Sequence, residues 1–204
     1  MKIICIGRNY ADHAKEMNSP TPTEPVFFMK PDTALLPKRN PVYIPDFTND
    51  LHHECEIVVR INRLGKNISE KFAHRYYSEI GIGIDFTARD IQTKCKEKGL
   101  PWEKAKAFDH SAPVSEKFLP IQEIKDLNNL NFHLEVNGQK VQEGSTKDMI
   151  FTVDQLIAYV SKYVTLKIGD LIFTGTPAGV GPVKIGDQLK AFIEEKEFLK
   201  IDIK

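Results

Sequence analysis

The sequence predicts a strand-rich α+β fold, and three observations predict it. Short apolar segments bounded by Gly, Pro, Asn and Asp outnumber the stretches of helical periodicity. Strands and helices do not alternate regularly, as a doubly wound parallel sheet would require. Asn137-Gly138 lies between two strand-like runs, and it is the dipeptide suited to a two-residue hairpin turn, where both positions need positive φ.

Taken in order, KIICIG (2–7) reads as a buried strand and residues 9–17 as a short helix, limited by the surface loop SPTPTEP (19–25). VFFMK (26–30) and PVYIP (41–45) are strand candidates joined by the turn-rich PDTALLPKRN. HHECEIVVRIN, from His52, is the longest clear strand. Residues 69–77 have helical composition and lead into EIGIGIDFT, an apolar, glycine-containing strand ending near Asp85. Over 88–98, Ile91 and Cys95 stand four apart with charge on the other sides, a helix stopped by Gly99, Leu100 and Pro101. Residues 130–136 and 139–143 are the hairpin strands. Thr152 is the N-cap of a helix from 153 to about 164, with Leu156, Ile157, Val160 and Tyr163 as its core-facing side. KIGD occurs at 167–170 and 184–187, each time as a glycine turn before a strand, LIFTG and QLKAFI.

Composition narrows the function classes. The 204 residues are 41% hydrophobic, enough for a real core, and one domain spanning 1–204 is expected. Lys plus Arg equals Asp plus Glu at 28 each with no dense basic run, which disfavours a nucleic-acid partner. The apolar run at 3–6 is cut by Gly7 and Arg8, too short for a signal peptide or a membrane span, so a cytoplasmic protein with no membrane association is expected. Cys5, Cys55 and Cys95 are odd in number, widely separated and free of CxxC spacing, which suggests neither a disulfide framework nor a zinc site.

The candidate chemistry is carried by carboxylates. Glu54 and Glu56, one residue apart on a predicted strand, put two oxygens on one face while Cys55 points away. Asp85 ends an apolar strand among Ile80, Ile82, Ile84 and Phe86, where burial is costly unless a positive charge meets it. Three converging carboxylates ask for a cation, and oxygen-only ligation favours Mg²⁺ or Mn²⁺ over zinc. Alternating glutamates are more often a strand's solvated face, so the pair counts only together with Asp85. His13 and Glu16, three apart on a helix, form a dyad in which a carboxylate can orient an imidazole, although such pairs are commonplace on helix surfaces. Lys106, among Ala105, Ala107 and Phe108, sits where an ammonium can hold a carboxylate or an oxyanion, with its neighbour Lys104 an equally ordinary surface lysine. Arg89 and Gln92 share a helix face that begins just after Asp85. TGTPAGVGP (174–182) is either a loop whose amides approach a small anion or only a tight turn.

GRNYADHAKEM, EPVFFMKP, LHHECEIVV, GIDFTARDIQ, KGLPWEKAKAFD, VNGQKVQEGSTKDMIF and GDLIFTGTPAGVGPVKIGD together resemble, in order and over nearly the whole chain, the fumarylacetoacetate hydrolase family. The compact acylpyruvase and oxaloacetate decarboxylase branch is the most similar. The resemblance implies a mixed β-sandwich roll and a homodimer, with Mg²⁺ or Mn²⁺ held at Glu54, Glu56 and Asp85 and Asp12 outside the metal set. It implies that His13 and Glu16 are a catalytic dyad on a lid and that Lys106, Arg89, Gln92 and Thr176 contact substrate. The implied reaction is carbon–carbon cleavage of acylpyruvates or decarboxylation of oxaloacetate, with His13 activating water and Lys106 countering the oxyanion. Substrate choice is expected in the lid and in loops such as 19–25. Two other readings are kept: an isomerase of unsaturated or enolic 2-oxo diacids, and a non-catalytic module in which the metal only braces the sheet.

Overall fold

The computed structural model describes residues 1–17 and 20–204, so Ser19 of the predicted loop lies outside the described residues, and 20–25 contain no helix or strand. The strands are β1 (Ile3–Gly7), β2 (Val26–Lys30), β3 (Leu51–His53), β4 (Cys55–Ile61), β5 (Tyr77–Ile84), β6 (Thr87–Ala88), β7 (Leu119–Pro120), β8 (Asn131–Val136), β9 (Gln139–Ser145), β10 (Leu171–Phe173), β11 (Gly181–Pro182), β12 (Gln188–Ile193) and β13 (Lys196–Asp202). The helices are α1 (Ala11–Glu16), α2 (Glu70–Ala73), α3 (Arg89–Glu97), α4 (Glu103–Lys106) and α5 (Val153–Tyr163). This is the strand-rich α+β class that the sequence predicts. Among the described residues, no helix is long and apolar enough to cross a membrane.

A six-stranded mixed sheet, ordered β2-β1-β10-β4-β5-β7, is the centre of the fold, with β1 and β10 its parallel pair. Its inner strands are buried on both faces. Ile4, Ile6, Ile57, Val59 and Ile82 enter the main core beside Phe132, Leu134, Leu189 and Ile201 of the antiparallel sheet β13-β12-β8-β9, and beside Leu156, Ile157 and Val160 of α5. Ile3, Cys5, Val58, Leu171 and Phe173 fill a second core on the opposite face. Double burial explains why KIICIG and EIVV read as unbroken apolar runs rather than alternating ones.

Local chemistry sets the other elements. Asn137 and Gly138 have φ of 54° and 78°, the paired positive values of a primed hairpin turn between β8 and β9. Thr152 and Gln155 form a full capping box at the start of α5. In both KIGD turns the aspartate accepts the backbone N–H of its own lysine, Lys167 to Asp170 and Lys184 to Asp187.

The structure corrects three expectations. PVYIP is not a strand; it makes one parallel bridge, Val42 to Ile203, in which Val42 and Ile44 N–H donate to Asp202 and Lys204 C=O. Tyr163 is 56% exposed, so the apolar core-facing residues of α5 end at Val160 and the buried side at Ser161. HHECEIVVRIN is two strands, and the eight-residue β5 is longer than either. β4 pairs in the six-stranded sheet, while β3 pairs with β6 and β11 in a small separate sheet. The chain changes ladders at Glu54. At the same level β5 gives way to β6 through Asp85 and Phe86, and Asp85 N–H donates to Glu54 C=O at 2.8 Å. Two adjacent strands therefore break side by side, and each break carries a carboxylate.

Candidate metal and substrate site

Glu54, Glu56 and Asp85 are each buried, and one carboxylate oxygen from each lies within 4.8 Å of the others. Glu54 and Asp85 come from the two strand breaks and Glu56 from β4. Cys55 between the glutamates turns into the main core, as the strand alternation predicts. The glutamates thus converge even though the strand between them is broken.

Three buried cations surround the cluster. Lys106 Nζ, at the end of α4, donates to Glu54 Oε2 and Asp85 Oδ2, each at 2.8 Å. Arg89, the first residue of α3, reaches Glu54 Oε1 at 2.5 Å through Nη2 and Gln92 Oε1 at 2.7 Å through Nη1. Lys30, the last residue of β2, is 2% exposed. Its Nζ meets the carbonyls of Phe86, Lys106 and Ser111 and the Ser111 hydroxyl, and it stands 2.8 Å from Asp85 Oδ1. Sequence reading missed Lys30, because a lysine that closes an apolar strand is ordinary.

These charges divide the carboxyls. Burial opposes the ionisation of Glu54, but Lys106 and Arg89 outweigh it and hold that carboxyl well below the usual carboxylate range. Glu56 has no cation partner. Its Oε2 accepts a hydrogen bond from Gly175 N–H at 2.6 Å. Burial, then the like charges of Asp85 and Glu54, push its carboxyl well up.

A helix and a loop close the site from the other side. His13 Nδ1 lies 3.1 Å from Glu16 Oε2, and Glu16 Oε1 accepts Gly179 N–H at 3.0 Å, tying α1 to the 174–182 loop. A carboxylate on Nδ1 leaves proton exchange to Nε2. The amides of that loop do approach anions, and the anions are the protein's own glutamates, 56 and 16. Gly175 has φ of 102°, and an added Cβ would lie 2.7 Å from Asn9 Cβ, so only glycine brings its N–H to Glu56. The Thr176 hydroxyl donates to Cys55 C=O at 2.9 Å and accepts from Gln142 at 2.8 Å, so its proton is already committed. Gln142, on β9 and unanticipated, also accepts Cys55 N–H and meets His53 Nδ1, each at 3.0 Å, bracing the strand break against the loop. Nothing in the sequence marks it.

The three carboxylates, Lys106, Arg89, Gln92, His13 and Thr176 line one cavity of about 190 Å³, with Ile6, Gly7, Arg8, Met17, Phe28, Lys96 and Trp102 completing the wall. Of the predicted site residues, Glu16 stands behind His13 and the rest line the cavity; Asp12 is exposed and outside the carboxylate cluster. The volume is below the roughly 300–1,000 Å³ of drug-sized sites, which suits a ligand of a few carbons.

The donor set fits a divalent cation on three observations. The ligand atoms are all oxygens. Glu56 is a buried carboxylate with no cation of its own. Asp85 Oδ1 is buried without a hydrogen-bond partner, its approach to Lys30 lacking hydrogen-bond alignment.

Comparison with known proteins extends the picture. A sequence profile of the fumarylacetoacetate (FAA) hydrolase C-terminal family matches residues 2–204. The chain is 50% identical over 191 residues to the mitochondrial oxaloacetate tautomerase FAHD1 of Bos taurus, covering 94% of this chain and 86% of that one. It is 47% identical over 193 residues to the mitochondrial oxaloacetate decarboxylase of Dictyostelium discoideum, covering 94% and 88%. The fold superimposes on fumarylpyruvate hydrolase from Pseudomonas aeruginosa, solved with Mn²⁺ and pyruvate, at a TM-score of 0.93 and 34% identity, covering 100% of this chain and 89% of that one.

Proposed function

The chain belongs to the fumarylacetoacetate hydrolase C-terminal family, and from that premise we propose that it is a Mg²⁺- or Mn²⁺-dependent enzyme acting at C3 of oxaloacetate. Keto–enol interconversion is its main reaction, with loss of CO₂ as a second outcome. The observation that carries the reading is the buried triad Glu54, Glu56 and Asp85, bridged by Lys106 inside a small cavity. Relatives named oxaloacetate tautomerase and oxaloacetate decarboxylase support it at about half identity.

Once Glu56 has given up its proton to the metal, three carboxylates and three cations cancel. A divalent cation held by Glu54, Glu56 and Asp85 supplies Lewis-acid polarisation of the 2-oxo group and brings the cluster to a net charge that complements a dianionic 2-oxo diacid. The protein's own groups do the rest. Arg89 Nε, buried without a hydrogen-bond partner, is a free donor for the carboxylate next to the 2-oxo group. His13 Nε2, with Glu16 on its other nitrogen, takes or returns the C3 proton. As the C3–H bond breaks, its electron pair forms the C2–C3 double bond and the 2-oxo oxygen gains negative charge and then a proton. Lys106 places its ammonium near that oxygen.

A second reading, hydrolysis of acylpyruvates, is favoured by the His13–Glu16 dyad, which is equally suited to activate water, and by the fumarylpyruvate hydrolase neighbour. One experiment separates the two. The purified protein, with Mg²⁺ or after chelator treatment, is given oxaloacetate or acetylpyruvate, while enol absorbance and pyruvate are followed. Metal-dependent acceleration of the enol signal supports tautomerisation. Pyruvate from acetylpyruvate alone would replace it with the hydrolytic reading, and a folded, metal-loaded protein inert to both would remove the enzymatic one.

A further inference from the structure

The cavity wall carries four Lys and Arg side chains: Arg8, Arg89, Lys96 and Lys106. Arg89 and Lys106 direct their charge to Glu54 and Asp85. The other two do not. Lys96 stands 5.7 Å over the Trp102 ring and meets no carboxylate in an ion pair. Arg8 has neither a hydrogen bond nor an ion pair to any described residue. Two unmatched cations thus face one small cavity beside a cluster whose carboxylates Lys30, Arg89 and Lys106 already meet.

Arg8 is held there against its backbone preference. Its φ is 59°, in the left-handed region that a non-glycine residue enters at a cost. The next residue enforces it. Asn9 is fully buried, its Nδ2 donating to Phe151 C=O at 3.0 Å and Thr174 C=O at 2.8 Å, while its Oδ1 accepts Phe151 N–H at 2.8 Å. A strained cation without a partner at a cavity wall is a structural reason to look for a ligand.

Position tells which part of the ligand it meets. Arg89, Gln92 and Lys96 fall three and four apart on α3, so they share a face. Arg89 touches the carboxylate cluster, and Lys96 stands about 10 Å further along the helix axis. Burial lowers the Lys96 pKa first, and the positive charges of Arg89, Lys106 and Arg8 lower it further, which puts Arg8 within electrostatic reach of it.

We propose that Arg8, with Lys96, holds the far carboxylate of a four-carbon 2-oxo diacid, selecting diacids over monoacids and favouring proton transfer over CO₂ release. The proposal rests on the reading that the triad binds the 2-oxo acid end. In tautomerisation a C3–H bond breaks, an O–H bond forms and nothing leaves. In decarboxylation the C3–C4 electron pair stays on C3, C4 departs as neutral CO₂ and C3 takes a proton. Cations over the C4 carboxylate stabilise a charge that this second path must move away, so they slow it relative to the first.

Arg8→Asn tests this, since asparagine tolerates the left-handed backbone while removing the charge. With Mg²⁺ present, the KM for oxaloacetate should rise about tenfold to hundredfold, the size of a lost charge-assisted hydrogen bond. The inhibition constant of pyruvate, which lacks the far carboxylate, should stay within about twofold, and pyruvate release relative to tautomerisation should increase. Lys96→Gln should shift all three readings the same way, which keeps the test open if Arg8→Asn does not fold. Equal losses for oxaloacetate and pyruvate, or no change in either, overturn the proposal. Failure of the wild-type protein to act on oxaloacetate at all would instead overturn the reading beneath it.

Discussion

Glu56 is the residue on which metal binding turns, because it is the one carboxylate of the triad without a cation partner. The buried charge is costly, and removing it should help the metal-free fold while destroying the site. Glu56→Gln keeps an acceptor for Gly175 N–H. Melting with chelator present should show a gain of roughly 1–3 kcal/mol, or some 2–12 °C for a chain of this size, while calorimetry shows no Mg²⁺ binding. The pH dependence follows from the direction of the shift. Burial, then Asp85 and Glu54, raise the folded Glu56 pKa above its ordinary 4.5. The metal-free protein therefore holds the full Glu56 contribution below that value and loses it as pH rises towards the folded pKa, while Glu54, shifted the other way, loses its contribution only in strong acid. Below the raised pKa, Mg²⁺ must displace a proton, so its affinity should climb with pH, and titrations in buffers of different ionisation enthalpy should detect proton release. An affinity flat from pH 5 to 8 would rule this out. The triad was legible because carboxylates in apolar strands are conspicuous. Lys30 and Gln142 were not, since their meaning lies in an inward turn that a single sequence does not reveal.

At the scale of elements, the 174–182 loop links the triad to α1, and Gly175 is its tightest point. Gly175→Ala sets a Cβ against Asn9 at an unfavourable φ, so the loop must shift and draw its N–H off Glu56. A loss of at least about 1 kcal/mol in denaturant melts is expected, together with weaker Mg²⁺ binding; an unchanged affinity would show that the loop only closes a turn. Thr152→Ala is the control. It removes half of a capping box that does not line the cavity, costing about 1 kcal/mol with metal affinity intact. The helix cap, the Asn-Gly hairpin and the two KIGD turns were readable because each is decided by a few adjacent side chains. The division of HHECEIVVRIN was not, because both halves are extended, and only β6 and β11 draw β3 into another sheet. PVYIP misled for the opposite reason: it has strand composition, but its pairing is a single bridge to Ile203.

Across the whole molecule, the site is a joint. β4 and β5 run together through the centre of the six-stranded sheet, and their continuations, β3 and β6, leave it together for the smaller one. The carboxylates at the two breaks are bridged by Lys106, while Gln142 and Thr176 brace the corner from the hairpin and the loop. A divalent cation gripping Glu54, Glu56 and Asp85 would clamp both breaks at once, so metal binding should stabilise the fold as a whole. At a hundredfold excess over Kd the gain is about 2.7 kcal/mol, equivalent to roughly 5–11 °C in melting temperature. The same experiment separates a clamp from a surface ion. Hydrogen exchange should slow most at the amides of 54–56 and 84–88 and at Gly175, and least at β13 and the exposed KIGD turns. Protection spread evenly over every element would mean that the metal only shifts global unfolding. Protection centred on the corner, with Tyr43 and Ile185 loops unchanged, would mean that one ion couples the sheet junction to the cavity, so the residues that hold the substrate are also those that hold the two sheets together.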